Sequence, residues 1–223
     1  MINILIAQQV DGYIIVPTEF GESSIQNLTA NKMPVVLIDR YFPKIEANYV
    51  SVNNYYASKK ITQRLIASGC KKIGMVIYKN KLIHMQERKR GYIDALKEVS
   101  LYDAGLVKYI SYENLNEETQ IVMTELVSGK EYVDGIFFAT NNLSIAGIRQ
   151  LLRLIIKVPD EIKVACFDKN ESFDFFDAKI PHASQPVLEM GKRAVDLLID
   201  QIEERSNSKI QAKVELFADV TDE

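Results

Sequence analysis

The feature that most constrains this chain is an alternation. Short apolar runs recur along it, and amphipathic segments separate them. The runs are Tyr13–Val16, Val35–Ile38, Tyr49–Val52, Ile73–Tyr78, Leu106–Ile110, Ile136–Ala139 and Ile162–Phe167, with Ala212–Phe217 as a last strand. They are rich in Val, Ile, Phe and Tyr, and several are apolar throughout, as strands covered on both faces are. Four intervening segments carry helical stripes. Asn54–Ser68 aligns Ala57, Ile61 and Leu65; Gln86–Val99 aligns Tyr92, Leu96 and Val99; Leu143–Ile156 aligns Ile148, Leu151 and Ile155; and Pro186–Arg205 opens with Pro in the first turn. This pattern predicts βαβ crossovers and a mostly parallel sheet. Asn207-Ser208 reads as a hinge-like turn before the last strand.

The pattern is also duplicated. Val10–Pro17 (VDGYIIVP) resembles Val133–Thr140 (VDGIFFAT), and each is followed by a helix and a strand closing on Asp plus a base: Asp39-Arg40 and Asp168-Lys169. Two α/β lobes follow, and ligands of open parallel sheets sit beyond the carboxyl ends of the strands, where both aspartates fall. The copies are unequal. Sixty-one residues separate Ile73 from Asp134, but only ten precede Asp11. By symmetry roughly 50 residues of the first lobe, its first strand among them, are expected to be missing, since a parallel pair needs a crossover. The expected lobes are 1–70 plus 184–207 and 71–183 plus 208–223.

Composition excludes several functions. The 223 residues carry 27 basic and 30 acidic side chains, net -3, which argues against a free-standing nucleic-acid binder. Cys70 and Cys166 stand 96 residues apart and read as reduced, packed thiols. No apolar run is long enough to span a membrane, and the amino terminus has no secretory pattern. A cytoplasmic α/β protein is the expectation. Gly-rich phosphate loop, G-x-S-x-G elbow and HExxH are all missing from the sequence, and two histidines 98 residues apart make no metal pattern. Neither enzyme, metal site nor cofactor is expected.

The order VDGYIIVPTE, MPVVLIDR, YVSVNNYYAS, GCKKIGMVI, RKRGY, ATNNLSIAG, VPDEIKVACFD, ASQPVLEMGKRAVDLLIDQI resembles the effector-binding region of the LacI/GalR transcriptional repressors, over about residues 8–217. The resemblance implies a type I periplasmic-binding-protein-like fold of two lobes. It implies a small metabolite, a sugar first among candidates, held between them. It implies a homodimer, and operator DNA bound through an amino-terminal head that these residues lack. A periplasmic-type sugar-binding protein of transport or chemotaxis shares the fold and stays open as the alternative.

The resemblance also nominates ligand residues. Arg88 of RKRGY matches the family arginine that reaches into the cleft; a guanidinium fork gives directed hydrogen bonds. Read alone, it belongs to a basic cluster on a solvated face. His84, a turn earlier, matches a frequent polar contact. Asn141 matches the Asn of an Asn-Asp pair, with Asn142 replacing Asp, and a helix cap is its other reading. Asp168 matches the family's strand-end Asp, with Cys166 where Gly is usual; Asp39 is its counterpart in the first lobe. Gln185 matches a crossover contact, and Tyr112 an aromatic platform for sugar C–H faces. Phe173–Asp177 (FDFFD) is either a pocket wall or lobe packing.

Overall fold

The computed structural model describes residues 9–128, 132–169, 173, 179–203 and 213–221. It divides into two compact units, 1–53 with 81–84 and 186–217, and 54–80 with 85–185 and 218–223.

In the first unit the β-branched run VVLI makes β2 (Val35–Ile38). It pairs in parallel with β1 (Tyr13–Ile15) on one side and β3 (Asn48–Val52) on the other. The strand β9 (Lys213–Leu216) joins the far edge of β3, also parallel, placing Val214 opposite Val50. Helix α1 (Glu22–Ala30) buries Ile25 and Leu28, three apart and therefore on one face. These meet Tyr13, Val35, Leu37 and Tyr49 in a single apolar cluster. Helix α6 (Val187–Ile202) lies across β1, β2 and β3, burying Met190 and Ala194, one turn apart.

The second unit is built on β4 (Ile73–Tyr78), whose six residues are all buried. The remaining strands are β5 (Val107–Ile110), β6 (Gly135–Phe138), β7 (Lys163–Phe167), β8 (His182–Ser184) and β10 (Asp219–Thr221). Their spatial order is β10-β8-β7-β6-β4-β5, parallel throughout except that β10 runs against β8. The helices are α2 (Asn54–Ala67), α3 (Ile83–Lys97), α4 (Leu115–Ser128) and α5 (Asn141–Arg153). The core joins Val76, Ile110, Met123, Leu126, Ile136, Phe138, Leu143, Leu151 and Val164.

Both sheets are mostly parallel, as the alternation implied. The observed units depart from the sequence-based division at 54–70, 81–84, 184–185 and 208–217. Helix α2 packs on β7 and β8 of the second unit, because its stripe of Ala57, Ile61 and Leu65 faces that sheet. The run 213–216, expected in the carboxyl-terminal lobe, pairs with β3 in the first unit, and only β10 returns to the second. Three elements were not singled out from sequence: α4, β8 and β10. The turn at 207–208 lies outside the described residues, as do residues 174–177 of the FDFFD segment. Among the described residues, no helix is long and apolar enough to cross a membrane.

Candidate functional site

Strand order fixes where a crevice opens. The chain leaves β4 for β5 on one side and then returns to place β6 on the other, so β4 and β6 flank a topological switch point. Arg88 is attached there. Its Nη1 donates to the carbonyl of Ala139, at the carboxyl end of β6, over 2.7 Å. Its Nε donates to Asn54 Oδ1, on the first residue of α2, over 2.8 Å. The guanidinium carbon lies 3.4 Å from the ring centroid of Phe167, the last residue of β7. A cation over an aromatic face in a desolvated setting is favoured by about 2 kcal/mol. The side chain is buried, not part of a solvated basic face; Lys89 and Arg90 point elsewhere, Arg90 pairing with Glu87.

The other letters of RKRGY explain how Arg88 is held. A Cβ on Gly91 would stand 2.3 Å from the carbonyl oxygen of Tyr55 and 2.8 Å from the amide of Lys59, so only glycine lets α3 rest backbone-to-backbone on α2. Tyr92 is fully buried and donates its hydroxyl to Ile73 O over 2.6 Å, tying α3 to the start of β4. Ser58, on α2, donates to the backbone carbonyl of Arg88. The motif is a helix-packing device that ends in a placed guanidinium.

Next along the carboxyl edge stands Asp168, directly after β7. Its φ is +72°, a left-handed conformation that Asp tolerates better than most residues, and its amide donates to Ala183 O at 3.0 Å. Gln185 Nε2 donates to Asp168 Oδ1 at 2.7 Å, so two nominated ligand residues meet as partners. Asp39, after β2 in the first unit, repeats the geometry: φ is +67° and its amide donates to Val50 O at 2.9 Å. The sequence duplication is therefore also a duplication of backbone conformation. Asp39 lies beside Arg40, whose Nε is 3.3 Å from Oδ2.

Asn141 is the first residue of α5, but it is not the cap. Thr140 holds that position, in extended conformation, with its hydroxyl accepting from Leu143 N. The capping reading of Asn141 is thus corrected. Its Oδ1 is buried with no hydrogen-bond partner among the described residues. Tyr112, beyond β5, is 68% exposed as a residue, and its ring leans on that of Tyr78, with centroids 4.8 Å apart. Burial and the neighbouring Tyr112 push the Tyr78 phenol above its ordinary range.

Arg88, Asp168, Gln185, Asn141 and Tyr112 all belong to the second unit, along one edge of one sheet; Asp39 and the buried His84, on the first turn of α3, group with the first. Sequence reasoning missed Asn54 and Phe167, the partners that fix Arg88. The asparagine at the start of a helix and the aromatic before the strand-end Asp were the signals. Cys70 and Cys166 are free and buried. Complete burial pushes the Cys166 thiol far above its ordinary range. Phe173 is buried beside the His182 ring. No group of three His, Cys, Asp or Glu converges on a metal-sized point among the described residues.

The family model for a periplasmic binding protein-like domain matches residues 62–218. The regulator CelR of Thermobifida fusca, described as an HTH-type transcriptional regulator, is 26% identical over 214 residues, 95% of this chain and 62% of the relative. EndR of Paenibacillus polymyxa, described as a probable HTH-type transcriptional regulator, is 28% identical over 209 residues, 90% of this chain and 59% of the relative. The chain thus spans about three-fifths of the length of these relatives. A solved complex of the transcriptional regulator CelR with cellobiose superposes with a TM-score of 0.86 at 25% identity, covering 98% of this chain and 67% of the other.

Proposed function

The chain belongs to the periplasmic binding protein-like domain family, and on that premise we propose that it is the ligand-sensing part of a LacI-type transcriptional regulator. Its ligand is a small neutral sugar. One observation carries the reading: the carboxyl edge of the second unit's sheet gathers a buried cation, a carboxylate, an amide oxygen without a partner among the described residues and an exposed ring. Asp168 accepts from sugar hydroxyls through oxygen capacity beyond its bond to Gln185. Asn141 Oδ1 accepts another, which removes the cost of leaving a buried acceptor unpaired. Arg88 supplies directed positive charge from a fixed position. Tyr112 offers a face for the C–H side of the ring. One carboxylate and one guanidinium leave the edge near neutrality, which suits a polyol better than a charged metabolite.

The cellobiose complex of a structural neighbour supports the sugar class. The relatives' descriptions as HTH-type regulators support the regulatory role. In this reading the regulator acts as a homodimer, and DNA is contacted by a helix-turn-helix unit. The sensing region itself, at net -3, has no basic surplus to hold operator DNA. The test is a thermal-shift panel of mono- and disaccharides, cellobiose among them, on the chain and on Asp168→Ala. A ligand at a hundred times its Kd adds about 2.7 kcal/mol of stability. For a chain of this size that raises Tm by roughly 5–10 °C, and the shift is expected to vanish in Asp168→Ala. No shift with any sugar, or an equal shift in the variant, overturns the assignment.

A further inference from the structure

Tyr78 is the last residue of β4 and sits at the switch point itself. Val76 stands opposite Phe138 of β6, so Tyr78, two residues on, reaches the level of Thr140 and faces the same side of the sheet. That is the side on which α5 begins, since Tyr78, Phe138 and Leu143 share one core. Tyr78 is only 6% exposed, yet its hydroxyl has no hydrogen-bond partner among the described residues. The side chains of Thr140 and Asn142 lie near enough to influence the phenol, but neither meets it in hydrogen-bonding geometry. Between those two in sequence stands Asn141, whose Oδ1 is likewise buried without a partner among the described residues. A strand end and the first turn of a helix thus bring two unsatisfied polar atoms to one corner. Buried polar groups are as a rule paired, and two such exceptions side by side point to a ligand group.

We propose that Tyr78 is a specificity-determining residue of this edge: its hydroxyl donates to, and Asn141 Oδ1 accepts from, one and the same hydroxyl of the ligand. The inference rests on the sugar reading and deepens it by naming the pair that reads a single hydroxyl. Burial disfavours the phenolate, so the phenol keeps its proton and enters as a donor. The amide oxygen can only accept. A ligand hydroxyl does both and completes the two bonds at once. A carboxylate has no proton for Asn141, and an ammonium has no lone pair for Tyr78. Tyr112, whose ring leans on Tyr78, sets the apolar platform beside this polar pair.

The test compares the full chain with Tyr78→Phe, which keeps the ring and removes only the hydroxyl. Without ligand, Tyr78→Phe is expected to hold or raise Tm, because no bond is lost; a Tm lowered by more than about 2 °C makes the hydroxyl structural and overturns the proposal. Binding of cellobiose, D-glucose, D-ribose and D-xylose is then measured by calorimetry. For the sugar that binds the wild type tightest, Tyr78→Phe is expected to weaken affinity by at least about threefold. A smaller change, with binding still lost in Asp168→Ala, overturns the role of Tyr78 and leaves the sugar reading standing. No binding of any sugar to the wild type overturns the sugar reading, and this pairing with it. Finally, the losses in Tyr78→Phe and Asn141→Ala are expected to be non-additive in the double variant, since both act on one hydroxyl. Simple multiplication of the two losses means that they read different groups, and overturns the shared contact.

Discussion

Replacing Gly91 with Ala tests whether backbone contact between α2 and α3 sets the position of Arg88. In an exposed helix the change would add up to about 1 kcal/mol of stability through helix propensity. Here the new methyl would meet Tyr55 O at 2.3 Å and Lys59 N at 2.8 Å, against an ordinary contact near 3.4 Å. Both obstacles are main-chain atoms of a helix, which cannot rotate aside as a side chain does. The helices must part by roughly 1 Å, and overpacking of this kind costs about 1–3 kcal/mol. With an unyielding wall the upper figure applies, so the net loss is about 2 kcal/mol, or roughly 4–8 °C in Tm. The displacement also carries Arg88, one turn earlier on α3. Its bonds of 2.8 Å to Asn54 and 2.7 Å to Ala139 stretch beyond hydrogen-bond range if the helix moves that far. Stability is read by urea unfolding, with Gly191→Ala as the reference: a Cβ there meets nothing within 4 Å, so that variant is expected to gain stability. If Gly91→Ala proves as stable as Gly191→Ala, the steric account of the RKRGY motif is wrong.

Three further outcomes follow from the same geometry. Arg88→Lys keeps the charge but loses the planar stack on Phe167 and the fork that reaches Asn54 and Ala139 together; a loss of about 3 kcal/mol in urea unfolding is expected, and a change below 0.5 kcal/mol contradicts the buried placement. Both thiols are buried and their pKa values raised, chiefly by desolvation, so at pH 8 neither is expected to react with Ellman's reagent until the chain unfolds; reaction of either within the mixing time of native protein refutes this. The Glu118 carboxylate accepts from the Ser111 hydroxyl at 2.5 Å and its amide at 2.6 Å, which holds its pKa below the ordinary carboxylate value. A folded pKa below the unfolded one means stability present above about pH 4.3 and lost as pH falls through the folded value. Glu118→Gln is expected to flatten that acid limb of the Tm-against-pH curve, and an unchanged slope counts against it.

The architecture was legible where one element carries one period. Fully apolar runs such as Ile73–Tyr78 and Ile136–Ala139 became buried parallel strands, and the repeated Asp-Gly and strand-end Asp marked corresponding points in two sheets. Legibility failed where the signal was short or shared. β8 and β10 have three residues each, too few to show alternation. Helix α4 hides its stripe of Thr119, Val122, Met123 and Leu126 among Glu and Gln, and its one-sidedness emerges only when a sheet supplies the dry face. For the site, residue type pointed to Arg88 and Asp168, but not to their partners. That Asn54 fixes the guanidinium and that Gln185 bonds Asp168 depends on elements distant in sequence meeting at one sheet edge, which no local pattern encodes. Thr140 displaced Asn141 as cap because the extended residue before a helix, not the first residue within it, faces the free amides.

The pairing of β9 with β3 has a consequence for how the protein emerges from the ribosome. Val50 waits for Val214, and α6 begins only at Val187, so the first unit cannot complete its sheet or cover it until residues 187–216 have been made. Residues 85–185 of the second unit are continuous and can settle while that happens. The amino-terminal strands therefore face a long interval with the β3 edge unpaired, an exposure that invites association with other nascent chains.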